Sequence, residues 1–119
     1  MSDNVKFLEH LYDLFNARDI ENVLSALDPD VVWANGMEGG YVHCRDSVRD
    51  YWTRQWASVN PRVEPVKFSE GPSGEIIVEV HQVVRDLNGD VLADRTVGHE
   101  FRIENGLVKR FDIRGQNYE

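Results

Sequence analysis

Two Asn-Gly pairs, Asn88-Gly89 and Asn105-Gly106, interrupt the second half of this 119-residue chain between β-rich runs. Asn-Gly supplies the two positive-φ residues of a type I′ turn and is the strongest short-range hairpin signal. Gly71-Pro72-Ser73-Gly74 marks a third turn. Together the turns cut the half into four runs, at positions 63–70, 75–86, 91–104 and 107–114. Connections this tight join neighbours antiparallel, so the runs predict a meander. The two middle runs are about twice the usual strand length of ~5–6 residues. Strands that long twist, and Gly98 is the expected place for a bulge or bend.

The first half carries the helical period. Val5, Leu8, Leu11, Tyr12 and Phe15 recur at three- and four-residue spacing, widened by Phe7 and Leu14, with Ser2, Asp3 or Asn4 as cap. Asp19 is the expected N-cap of a second, shorter helix to about Ala26, ended by the Asp28-Pro29-Asp30 turn. Val31–Asn35 reads as a short strand, followed by a glycine loop. A third helix is expected from about Asp46 to Val59, stopped by Asn60-Pro61, with Val48, Trp52, Gln55, Trp56 and Val59 on one face. The economical architecture is α+β: three N-terminal helices packed in the concave face of a strongly curved, mostly antiparallel sheet, as one domain over 1–119.

Composition narrows the partners. Thirteen Lys and Arg against 21 Asp and Glu give a net charge of −8, which disfavours nucleic acid, because that binding rests on basic residues neutralising phosphates. No run approaches the ~20 apolar residues that cross a bilayer, and Met1–Asn4 lacks a signal-peptide pattern. The single Cys44 excludes an internal disulfide and a multi-cysteine metal site. The expectation is a small soluble cytoplasmic protein without metal or cofactor, its acidic excess on the solvated surface.

Strand alternation selects the inward side chains. Ile76, Val78, Val80, Gln82 and Val84 share one face, and Val97, His99, Phe101 and Ile103 another. Val31, Trp33 and Asn35 share a side of the short strand, and Leu107, Phe111 and Ile113 oppose Val108, Arg110, Asp112 and Arg114. Asn35, Gln82 and His99 thus emerge as polar groups on the concave side, walled by Trp33, Trp52, Trp56 and Phe101. A mostly apolar cavity with a few convergent polar groups is the usual make-up of a small-ligand site. Each group also has a plain structural reading: Gln82 bonding His99 or a carbonyl, Asn35 as a turn residue before Gly36, the tryptophans as core. His10, His43 and His81 read as surface residues.

The order of Leu14–Glu21, Asp30–Asn35, Cys44–Trp52 and Gly98–Val108, with three helices before a long meander, resembles the nuclear transport factor 2-like superfamily. That group includes SnoaL-like polyketide cyclases, ketosteroid isomerases and limonene epoxide hydrolase. The resemblance implies a cone-like α+β barrel, or cystatin-like roll, and pairing of two copies sheet to sheet. Ile77 and Val83 on the outward face suit such a homodimer. It also implies where chemistry sits. The isomerase base position falls on Asn35, which cannot take a proton, and the oxyanion aspartate falls on His99. The isomerase tyrosine falls on Leu11, with Tyr12 one residue and about 100° away. The cyclases resemble the chain at His99, but their last-strand aspartate falls on Ile113, and Asp112 should point oppositely. Arg95 shares the parity of His99, yet no pair of inward aspartates completes an epoxide-hydrolase group. The resulting expectation is an isomerase-, cyclase- or hydrolase-type enzyme for a small hydrophobic or aromatic molecule. His99 and Asn35 are its catalytic residues, and Gln82, Trp33, Trp52, Trp56 and Phe101 bind substrate. Histidine suits acid/base work because its unperturbed pKa lies near neutrality. A non-catalytic binder or a dimeric interaction module of the same fold are the alternatives.

Overall fold

A computed structural model describes residues 2–36 and 39–114. Three helices, α1 (Ser2–Asn16), α2 (Ile20–Ser25) and α3 (Arg45–Ser58), accompany six strands. These are β1 (Leu27–Ala34), β2 (Tyr41–His43), β3 (Val59–Glu70), β4 (Ile76–Asp86), β5 (Val91–Glu104) and β6 (Leu107–Arg114). They form one curved sheet in the order β2-β1-β6-β5-β4-β3, antiparallel except where β1 runs parallel to β6. The sheet is open, with β2 and β3 at its edges. The expected helices and meander are all present, and β5 and β6 span the expected positions.

Four expectations about strands fail for identifiable reasons. Asp28-Pro29-Asp30 does not turn but lies inside β1, in the irregular stretch between the Leu27 and Val32 pairings to β6. Asn60-Pro61 follows the end of α3 as expected, but it lies inside β3, which begins at Val59 rather than at 63, because an edge strand tolerates proline where no ladder donor is needed. Gly98 is not a bulge: it pairs in register with Glu79 and Arg114. The bulge sits in β6 instead. Arg102 pairs with Arg110 and Ile103 with Val108, leaving Lys109 as the extra residue. That insertion reverses side-chain parity, so Val108 and Phe111 are both buried although three residues apart. β2, only three residues long, carries too little pattern to be seen beforehand.

The helices cover the concave face because their apolar stripes match it. Leu8, Leu11 and Tyr12 of α1 and Val48, Tyr51 and Trp52 of α3 are buried against Val78, Val80, Val97 and Phe101. The α1 cap expectation involves residues inside the helix, whose start adjoins a residue outside the described ones. After α1, Arg18 takes the left-handed region at φ 62°, usually left to glycine or asparagine. Its guanidinium compensates by donating to Phe15 O (3.2 Å) and Pro61 O (2.6 Å) while lying 5.0 Å over the Trp56 ring. Two residues earlier, Asn16 imitates a strand: Nδ2 donates to Val63 O (2.7 Å) and Val63 N donates to Oδ1 (3.0 Å). This locks α1 to the free edge of β3. Asn16→Ala removes both bonds and is expected to lower unfolding free energy by about 1–3 kcal/mol in urea titration. An unchanged midpoint would show that water replaces them fully.

Candidate functional site

The concave face is incompletely filled. A cavity of about 270 Å³ lies between the helices and the inner faces of β1 and β3–β6. Its wall is aromatic. Trp33 stacks on Phe111 (4.2 Å between ring centroids, 25°) and meets Trp52 edge-on at 5.2 Å. Phe101 lies 5.1 Å from Phe111. Alternation along β4 and β5 places Gln82, Arg95, Val97, His99 and Phe101 on the wall, and Ile113 completes it from β6.

His99 is 6% exposed. The hydroxyl of Tyr12 lies 2.7 Å from its Nδ1, and the two rings are parallel within 5°. Burial acts on both partners. It raises the Tyr12 pKa well above its ordinary value and lowers His99 to about 3. Tyr12 therefore keeps its proton and His99 is neutral at pH 7. A phenol oxygen is the weaker acceptor of the two atoms, so the hydroxyl donates to Nδ1 and the ring proton sits on Nε2. No described residue hydrogen-bonds Nε2. Among the described residues Trp56 Nε1 is the only fully buried, unpartnered side-chain nitrogen or oxygen, so Nε2 keeps contact with the cavity. The site thus presents a neutral N–H donor to a ligand. The near-neutral pKa behind the acid/base expectation does not hold in this surrounding.

The remaining expected residues divide. Gln82, Trp33, Trp52 and Phe101 border the cavity with His99, whereas Asn35 and Trp56 do not. Asn35 is buried in the β1–β2 connection, where its N–H donates to Gly40 O (2.9 Å) and its carbonyl accepts from Gly39 N (2.8 Å). Trp56 stacks behind Trp52 and under Arg18. Asp112 points away: its carboxylate accepts from Arg110 (2.8 Å) and from the Tyr41 hydroxyl (2.6 Å), and Arg110 and Tyr41 help hold its pKa below the usual value. The β6 bulge precedes Asp112 and leaves the expected orientation in place. His10, His43 and His81 are exposed.

Tyr12 is the polar cavity residue that family matching passed over, because that matching pointed to Leu11. Both line the cavity, since a helix at a concave wall presents two adjacent positions of its stripe. The signal was the stripe itself, Leu8-Leu11-Tyr12-Phe15, which puts a hydroxyl among apolar side chains. Tyr51 and Gln55 of α3 are further polar lining residues, with Gln55 Nε2 donating to the Tyr51 hydroxyl at 3.2 Å. Tyr12→Phe is expected to cost about 1–2 kcal/mol, because a buried imidazole nitrogen loses its partner. Imidazole ¹⁵N shifts should change from a single Nε2–H tautomer to a mixture. A wild-type spectrum showing Nδ1–H would refute the assigned proton.

The sequence model of the SnoaL-like domain matches residues 8–111. The chain belongs to the SnoaL-like family. This SnoaL-like chain is 31% identical to an NTF2-like protein of unknown function from Burkholderia pseudomallei, with 96% of this chain and 91% of that one covered and a TM-score of 0.82. It is 25% identical to TerC, co-crystallised with polyporic acid, over 92% of this chain and 88% of that one, TM-score 0.80. Rv0760c from Mycobacterium tuberculosis, in complex with estradiol-17β-hemisuccinate, shares the fold at 15% identity, covering 94% and 92%, TM-score 0.80. No curated protein matches significantly. The nuclear transport factor 2-like resemblance and the open cone-like fold therefore stand. No helix among the described residues is long and apolar enough to cross a membrane.

Proposed function

We propose that this SnoaL-like domain binds a small, flat, largely apolar molecule in its cavity and holds an oxygen acceptor of that molecule on Nε2–H of His99. The observation that carries the reading is the neutral, Tyr12-oriented imidazole facing an aromatic cavity. A cavity of about 150 Å³ admits benzene, so 270 Å³ suits a two-ring molecule. Small-molecule binding by TerC, with its polyporic acid, supports the same use of the fold here. Gln82, Trp33, Trp52 and Phe101 line the ligand, while Asn35 and Trp56 shape the site from behind.

Tryptophan fluorescence can test this with 2-acetylnaphthalene and its hydrocarbon analogue 2-ethylnaphthalene. The ketone should bind about fivefold tighter, the scale of one net hydrogen bond, and His99→Phe should abolish the difference. Equal affinities in the wild type reject the donor role. Absence of binding by both compounds rejects the cavity as a ligand site.

A catalytic reading rests on the same imidazole. A neutral, pre-oriented N–H can stabilise the oxygen charge that develops as solvent water or hydroxide removes the proton from the adjacent carbon, which serves isomerase- or cyclase-type enolisation without an imidazolium. Deuterium exchange into the methyl group of 2-acetylnaphthalene should then run faster with wild type than with His99→Phe. Rates equal to buffer alone would leave a binder. The reading includes a cytoplasmic homodimer joined through the outer sheet face near Ile77 and Val83. Light scattering at micromolar concentration should then give about twice the 13.7 kDa chain mass. A value near the single-chain mass removes the dimer.

A further inference from the structure

Gln82 on β4 and Arg95 on β5 are directly paired, with Val63 of β3 next across, and all three border the cavity. Directly opposed residues of an antiparallel pair place their side chains on the same face within ~4.5–5.5 Å at Cβ. Arg95 and His99 are four residues apart on one strand, so their Cα atoms lie roughly 13 Å apart. Arg95 is exposed while His99 is buried, which puts one at the mouth and the other at the closed end.

The charge pattern along the cavity lining is one-sided. Among the described residues, the Arg95 side chain makes no hydrogen bond, ion pair or ring contact, whereas Arg49, Arg62, Arg110 and Arg114 are each paired with a carboxylate. Among the described residues, no aspartate or glutamate borders the cavity. Arg95 is the one charged side chain on its described lining. A guanidinium presents a planar fork matched to carboxylate oxygens, and the neighbouring Gln82 amide supplies a further neutral donor.

We propose that Arg95, assisted by Gln82, forms an anion subsite at the cavity mouth, so that the ligand is an apolar ring-containing molecule bearing a carboxylate or similarly ionised oxygen group at the end remote from His99. This deepens the ligand-binding reading above and rests on it. Solvation alone would otherwise account for Arg95 as a rim charge, and the two accounts differ in what they select.

The test compares 2-naphthoate with 2-naphthamide, similar in shape and opposite in ionisation at pH 7, each titrated into the full chain and followed by calorimetry. Naphthoate should bind about tenfold tighter at low salt, as a charge-assisted contact implies. That advantage should shrink as sodium chloride is added. Arg95→Gln should reduce it to less than about twofold, the loss falling on naphthoate, and Arg95→Lys should retain part of it. Thermal melting of both variants should match wild type, because Arg95 is exposed and unpaired. If both probes bind equally, or the preference survives in Arg95→Gln, the anion subsite is wrong and the cavity reading stands. If neither probe binds, both fall.

Discussion

Trp52→Ala is expected to lower unfolding free energy by about 3–5 kcal/mol, the usual range for truncating a large buried aromatic side chain. Trp52 is 1% exposed and joins three layers of the wall. Its ring meets Trp33 edge-on at 5.2 Å, stacks on Trp56 at 5.7 Å and meets Phe15 edge-on at 5.5 Å. Removing it deletes those contacts and opens the existing cavity into the helix layer. The site cannot collapse readily, because the sheet on one side is held by its ladders. Total stabilities of about 5–15 kcal/mol are typical, so the variant should have a sharply reduced denaturation midpoint. Trp52→Phe, which preserves a ring, should lose much less. A loss below about 1 kcal/mol for the alanine variant would mean that Trp52 is dispensable packing.

Acidification should destabilise the protein well above the pH at which its carboxylates protonate. His99 has a folded pKa of about 3 against 6.5 for the free side chain. Between those values the unfolded chain binds a proton that the folded one refuses. Stability from this group is thus fully present above pH 6.5 and is lost as pH falls toward 3. At 1.36 kcal/mol per unit, the loss should reach roughly 2–3 kcal/mol by pH 4.5. Asp112 and Asp28, whose folded values are depressed, contribute at lower pH, below the ordinary aspartate range. Urea midpoints measured from pH 7.5 to 4.5 should therefore fall in wild type, and the fall should be shallower in His99→Phe. Parallel curves for the two proteins would show that His99 is not the responsible group.

Most of the fold was legible because turns and periodicity are local. Asn88-Gly89 and Asn105-Gly106 bounded β5 and β6 as expected, and the stripes of α1 and α3 named the buried helix residues apart from Tyr51. What was misplaced depends on partners distant in sequence. Pro29, Pro61 and Gly98 look like breakers until the sheet order shows an irregular β1, an edge β3 and an in-register β5. The bulge at Lys109 has no sequence signature and moved Val108 into the core. In the site, parity brought Gln82, His99 and Phe101 to one wall. It could not supply the Tyr12–His99 contact between residues 87 positions apart. It also could not show that Asn35 would be drawn into its own loop.

An open sheet has two edges, and each is a template on which a foreign strand can grow. Here neither offers a long, regular row of donors and acceptors. β2 gives only three residues, Tyr41–His43. β3 is long, but Pro61 and Pro65 lack N–H groups, Arg62, Glu64 and Lys67 place charges along it, and Asn16 occupies the donor and acceptor of Val63. The clamp that fastens the first helix to the sheet therefore also guards the protein against edge-to-edge aggregation. This agrees with the proposal that two copies meet through the broad outer face rather than along an edge.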